Sequence, residues 1–192
     1  MKKTIFLLFS FESVLNKKSI INIRITQIMI KIDIICVGKI KESFYRDAVS
    51  EYSKRLSRYC TLSVNEVADE KTPDKASDIE VQGILSTEAD RINALLDKPA
   101  MQGAYIITLE INGKQLSSEE LASKIEKLSV DGVSHVVFII GGSLGLHNSV
   151  ISRASFHLSF SKMTFPHQLM RVVLLEQIYR GFRIINHEPY HK

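Results

Sequence analysis

Residues 134–149 read SHVVFIIGGSLGLHNS. The segment SHVVFII is a mostly apolar, β-branched run, the pattern of a buried strand. Gly141-Gly142 stops it, and a short helix is expected close behind, near residues 148–153. A buried strand that hands over at once to a helix is the repeating unit of an α/β fold. In such folds ligands bind beyond the carboxyl ends of the strands. The glycine-rich turn is therefore a boundary of the fold and also its first candidate site.

The same alternation runs outward in both directions. Residues 30–37 (IKIDIICV) alternate Ile30, Ile32 and Ile34 with Lys31 and Asp33, and Gly38 ends the run. Residues 42–57 place Phe44, Ala48, Tyr52 and Leu56 four apart, with Val49 beside them, so one helical face is apolar. TLSVNEV, residues 61–67, reads as a second strand, and residues 69–78 as a polar loop containing Pro73. A helix is expected over 79–97, then a strand over 104–110 (AYIITLE) closed by the turn signal Asn112-Gly113. Ser117 and Glu120 form a capping box for a helix through Leu128. Beyond the glycine turn come a strand over 155–160 and, introduced by Pro166, a long helix over 167–184. The expectation is an α/β protein whose mostly parallel sheet is flanked by helices. Its ligand loops should follow Leu109, Ile140 and Phe160. No repeat and no boundary interrupts residues 29–192, which read as a single domain.

Composition excludes several classes. The 192 residues are 45% hydrophobic and 24% charged, which is neither disordered nor low-complexity. Cys36 and Cys60 are too few for a disulfide scaffold, and no His/Cys/carboxylate cluster has zinc spacing, so no metal is expected. The formal net charge is +4. Residues 1–28 carry five basic groups against Glu12, so they account for all of it. Residues 29–152 net to −4 and residues 153–192 to +4, which directs an anionic partner to the last forty residues. The first 28 residues begin like a secretory signal, but their apolar run is short and no cleavage site follows. The run is also far below the roughly 20 apolar residues of a membrane span. Because Met29 opens a clean strand, the expectation is that residues 1–28 are a start-site artefact or a disordered extension.

Four candidate sites stand out. Gly141, Gly142 and Gly145 let a backbone approach a ligand closely, or simply make a tight strand-to-helix turn. They match neither the dinucleotide fingerprint nor the phosphate-binding loop. Residues 160–165 (FSKMTF) mix Phe160, Met163 and Phe165 with Ser161, Lys162 and Thr164. That mixture suits a planar ring such as adenine, or a loop packing its aromatics inward. Arg171 projects between Ile178 and Phe182 on the apolar face of the last helix. It is either half of a buried ion pair or an anion or substrate contact. The tail His187-Glu188-Pro189-Tyr190-His191-Lys192 is either solvated, or an RNA contact or a general base. His135 and His157 read as core or partner-facing, and His147 as a weak candidate.

Specific stretches resemble a known family. They are Val37-Gly38-Lys39, Thr108-Leu109-Glu110 with Gly113-Lys114, and Ile140-Gly141-Gly142 with Gly145-Leu146. The strongest are Leu158 to His167 (LSFSKMTFPH), Arg171-Val172 with Gln177-Ile178-Tyr179-Arg180, and the terminal Pro189-Tyr190-His191-Lys192. From Met29 to Lys192 the chain resembles the ribosomal RNA large-subunit methyltransferase H family of the SPOUT superfamily. The resemblance implies a cytoplasmic homodimer, an α/β fold whose C-terminal part is a trefoil knot, and no membrane association. It implies S-adenosylmethionine as cofactor and methylation of N3 of a pseudouridine in 23S ribosomal RNA within the ribosome. It places the cofactor on Leu109, Gly141 and the run Phe160, Ser161, Lys162, Met163, Thr164 and Phe165. It also implies that family members begin where Met29 stands.

Methyl transfer to an imide nitrogen needs that nitrogen deprotonated and held in line with the sulfonium. Arg171 is expected to stabilise charge on the target base, with Tyr190 and His191, from either subunit, orienting it or taking its proton. Arg153, Lys162, Arg180, Arg183 and Lys192 are candidates for phosphate contacts. Two other readings compete. One is a non-catalytic ribosome-binding protein that keeps the fold; the other, a nucleotide-dependent oxidoreductase, is disfavoured by the missing fingerprint.

Overall fold

The computed structural model describes residues 29–189. Five strands and five helices alternate along it. They are β1 (Ile30–Val37), α1 (Ser43–Leu56), β2 (Cys60–Val67), α2 (Asp78–Leu96) and β3 (Tyr105–Gln115). Then come α3 (Ser118–Val130), β4 (His135–Ile140), the one-turn α4 (Asn148–Ile151), β5 (Phe156–Ser159) and α5 (His167–Ile185). All strand pairs are parallel, in the order β2-β1-β4-β3-β5. The expected α/β fold with a parallel sheet between helices is what forms.

The period-two pattern of β1 explains the layering. Ile30, Ile32, Ile34 and Cys36 point to one face, where they meet Leu121, Ile125, Leu174 and Ile178 of α3 and α5. Ile35 and Val37 point to the other, toward Ala89, Ile92 and Leu96 of α2 and Val150 of α4. All six residues of β4, the strand at the sheet centre, are buried. Both cysteines are free and buried, and burial pushes each thiol up to about 12, so they behave as small apolar residues. The capping box expected at Ser117 and Glu120 is present, and Ser77 with Glu80 makes a second one for α2.

One element departs from expectation. β3 does not stop at the Asn112-Gly113 signal but runs on to Gln115. Leu109 and Lys114 both pair with Leu158 of β5, so residues 110–113 are looped out of the ladder. Gly113 permits this, because a Cβ there would lie 2.7 Å from the Leu158 carbonyl carbon. The turn signal is real, but the turn is a bulge inside a strand.

At the amino-terminal edge of the sheet, Asp33 is buried beneath three donors. Its carboxylate takes Lys31 Nζ at 2.9 Å, His135 Nε2 at 2.7 Å and Asn65 Nδ2 at 3.0 Å. Burial pushes this carboxyl up, and those contacts more than offset it, leaving it below its ordinary value of 3.8. A carboxyl held low contributes stability that is present above its unfolded value and is lost as the pH falls. Asp33→Ala should therefore cost roughly 1–3 kcal/mol at pH 7 through the donors it strands. It should also flatten the acid limb of stability below about pH 4, as read by urea unfolding across pH.

Candidate functional site

The carboxyl ends of β3, β4 and β5 open onto a cavity of about 280 Å³. Its floor is Leu109, Ile140 and Leu158, one residue from each strand. One wall is the turn Gly141, Gly142, Ser143, Gly145 and Leu146, and the opposite wall is Phe160, Ser161, Met163, Thr164 and Phe165. The bulge residues Glu110, Ile111 and Asn112 close a third side, and His167 and Met170 of α5 the fourth. The three loops named from sequence thus meet in one place.

The glycine turn is built by near-contact of its own backbone. A Cβ on Gly141 would lie 2.3 Å from the Gly145 carbonyl oxygen. Gly145 N donates to Gly142 O at 3.2 Å, and Gly145 has φ +89°, in the left-handed region. Of the two open readings of this segment the tight turn is what forms, and that turn is one wall of the cavity. The facing loop is folded by Ser161, whose Oγ accepts from Met163 N at 2.9 Å. Ser159 Oγ donates to Ile111 O at 2.9 Å, tying the loop's root to the β3 bulge. Met163 is 72% exposed and Phe165 39%, so apolar surface stands at the cavity mouth.

Of the expected cofactor residues, Leu109, Gly141, Phe160, Ser161, Met163, Thr164 and Phe165 line the cavity. Lys162 does not; it is exposed on the same loop. Arg171 is fully buried. Its Nη1 donates to Glu66 Oε1 at 2.6 Å, and its Nη2 to the carbonyls of Val37 and Gly38 at 3.0 and 2.6 Å. Of its two open readings, this geometry matches the buried ion pair, and in this structure the guanidinium reaches no open surface. Tyr190 and His191 lie outside the described residues. His135 binds Asp33, His147 caps α4 and His157 pairs with Glu110 at 2.7 Å. Arg153, Arg180 and Arg183 pair with Asp97, Glu176 and Glu188 at 2.7–2.8 Å, so these arginines are already held by carboxylates of the chain.

Sequence reading missed Glu110, Ile111, Asn112, His167 and Met170 as cavity residues. The Asn-Gly pair was the available signal for the first three, and the strand-end rule for the last two, which open the helix after β5. His167 stands out electrostatically. Burial lowers its pKa from 6.5, and the nearby charges of Arg171 and Lys41 lower it further against the opposing pull of Asp69. Burial and the neighbouring cations thus favour the neutral imidazole at the cavity wall.

Fold and cavity together define an α/β protein with a largely apolar cavity at its strand ends. Residues 30–191 match a family model described as "Predicted SPOUT methyltransferase". A protein from Methanococcus maripaludis is 61% identical over 161 residues, covering 84% of this chain and 99% of that relative. Another, from Bifidobacterium animalis subsp. lactis, is 58% identical over 161 residues with the same coverage, and is named ribosomal RNA large subunit methyltransferase H. Among solved structures, a probable methylase family protein from Haemophilus influenzae Rd KW20 aligns with a TM-score of 0.47 at 12% identity. That alignment covers 84% of this chain and 70% of the other. The chain belongs to the SPOUT methyltransferases and, within them, to the ribosomal RNA large subunit methyltransferase H family.

Two outcomes follow from this geometry. Gly141→Ala forces a carbon against a backbone oxygen, so it should lower stability by roughly 1–3 kcal/mol and shift the melting temperature down. His167 has a depressed pKa, so its contribution is present above pH 6.5 and is lost as the pH falls below it. His167→Gln should flatten the slope of unfolding free energy against pH just below that value, measured by urea unfolding.

Proposed function

We propose that the protein transfers a methyl group from S-adenosylmethionine to N3 of a pseudouridine in 23S ribosomal RNA, acting on the assembled ribosome. The observation that carries the reading is the cavity. Seven of the positions expected to hold the cofactor line it together, in a chain of the methyltransferase H family. Its chemistry fits that cofactor. Leu109, Ile140, Leu158 and Phe160 offer an apolar slot for a planar ring, and the turn at Gly141, where a Cβ has no room, offers bare peptide groups. When bound, S-adenosylmethionine supplies an electrophilic methyl group on a sulfonium.

The residues of the chain do the rest. The cavity walls hold the cofactor and exclude water, while the exposed Met163 and Phe165 offer apolar surface to an incoming base. Positioning of this kind accounts for much of the acceleration in a methyl transfer. Arg171 acts by placing its surroundings, since its guanidinium holds Val37, Gly38 and Glu66 against the first turn of α5. Tyr190 and His191 orient the target base or take its proton.

The route of that tail favours a homodimer. α5 starts at the cavity with His167 and is 19 residues long, so its far end lies about 28 Å away. There Glu188 is held by Tyr59 at 2.6 Å and by Arg183 at 2.7 Å, at the opposite edge of the sheet. A homodimer in which Tyr190 and His191 act at the cavity of the partner subunit is part of this proposal. The trefoil knot in the C-terminal part and a cytoplasmic setting belong to the same proposal. No helix among the described residues is long and apolar enough to cross a membrane.

The test is transfer of tritium from methyl-labelled S-adenosylmethionine to ribosomes, with the modified nucleotide mapped. Label in 23S RNA at a pseudouridine N3 is the expected result. Binding to ribosomes without any transfer would instead establish the non-catalytic reading. In single-turnover reactions His191→Ala should slow transfer by about a hundredfold with cofactor affinity retained. Arg171→Ala should slow it as well, with lowered stability, and near-wild-type rates in both variants would refute the assigned roles.

A further inference from the structure

The loop between β1 and α1, Gly38 to Glu42, has no part in the chemistry above, yet its backbone is tied down on every side. Gly38 N donates to Val67 O at 2.8 Å, Ile40 N to Glu66 Oε1 at 3.0 Å and Lys41 N to Gln168 Oε1 at 2.8 Å. Arg171 holds the Gly38 carbonyl, and Arg46 Nη1 donates to the carbonyls of Ile40 and Lys41 at 3.2 and 2.6 Å. Gly38 itself has φ +84°, and a Cβ on it would lie 3.3 Å from His167 Nε2. The loop is thus packed against the first turn of α5, beside two residues that line the cavity, His167 and Met170.

What the loop leaves outward is two lysines. Lys39 and Lys41 are exposed, and among the described residues neither is given to a carboxylate. The charge of Lys41 is close enough to His167 to act on it. Asp69 lies against Gly38, Glu42 follows in the chain, and the Arg46 guanidinium is engaged by the Ile40 and Lys41 carbonyls, so the ammonium groups left to an outside partner are those of Lys39 and Lys41. Arg153, Arg180 and Arg183, the arginines richest in sequence promise, are by contrast paired within the chain. An ammonium suits phosphate as a point charge, and a backbone already fixed loses less entropy when its side chains bind.

We propose that the Gly38–Glu42 loop is an RNA-docking element, in which Lys39 and Lys41 contact backbone phosphates of the strand that delivers its nucleotide to the cavity. The proposal rests on the RNA-methyltransferase reading above. Lys162, exposed on the Phe160–Phe165 loop whose other residues line the cavity, adds a further cation. These contacts set register and affinity rather than sequence choice.

The test uses the full chain and ribosomes from cells that lack the enzyme. The double variant Lys39→Gln/Lys41→Gln should raise KM for ribosomes while leaving kcat, cofactor affinity and melting temperature in place. The slope of log affinity against log salt should fall in magnitude by about 2, close to 0.9 for each lost phosphate contact. Lys39→Arg/Lys41→Arg should restore both. The charge-matched control Lys98→Gln/Lys127→Gln, just beyond α2 and in the last turn of α3, should change neither. An unchanged salt slope and KM in the first variant would overturn the loop's role while leaving methyl transfer by the wild type standing. Failure of the wild type to methylate any ribosomal RNA would overturn the parent reading and the loop with it.

Discussion

The Arg171 guanidinium sits in the core with no contact to solvent. Taking such a charge out of water costs several kcal/mol, and the position is tenable only where hydrogen bonds and an opposite charge offset that cost. Glu66 supplies the charge, and the carbonyls of Val37 and Gly38 supply the acceptors. Three separate segments are therefore brought to one point: the end of β1, the end of β2 and the first turns of α5. His167, four residues before Arg171 in sequence and hence about one turn away on the helix, is carried to the cavity wall by the same attachment. The side of the cavity formed by His167 and Met170 depends on where α5 begins, and that depends on this ion pair.

The rest of the cavity depends on absent side chains. At Gly141 and Gly145 the chain folds back within 2.3 Å of where a Cβ would stand. At Gly113 the looped-out part of β3 rejoins β5 with equally little room. Each close approach brings a stretch of peptide backbone to the strand ends, where the ends of parallel strands and the starts of their helices converge. The result is a slot with apolar floor and walls, into which Glu110 and His167 bring polar groups.

Charge tells a different story in sequence and in space. The basic excess of the last forty residues pointed to an RNA-facing C-terminus. In the fold, Arg180 turns to Glu176 of the same helix, Arg183 to Glu188 just beyond it, and Arg153 to Asp97. Lys39, Lys41 and Lys162 are instead exposed, on the loops that lead into α1 and α5. Summed charge over a segment cannot distinguish a cation that is paired from one that is free.

The amino-acid sequence by itself determined the alternation of strands and helices, because period-two and period-3.6 patterns are local properties of Ile30–Val37 or Ser118–Val130. It also determined the loops that form the cavity, because parallel strands place ligand loops at their carboxyl ends and glycines mark where a backbone can approach. It identified Arg171 as out of place on an apolar face, since helical geometry alone puts it between Ile178 and Phe182. Only the tertiary structure decided between its two readings, because Glu66 lies 105 residues away and no local pattern records a pairing across the sheet. The β3 bulge was hidden for the same reason: Asn112-Gly113 announces a turn, but only pairing with Leu158 on both sides makes it part of one strand. Local chemistry sets which elements form, and contacts between distant segments set what each exposed or buried group can do.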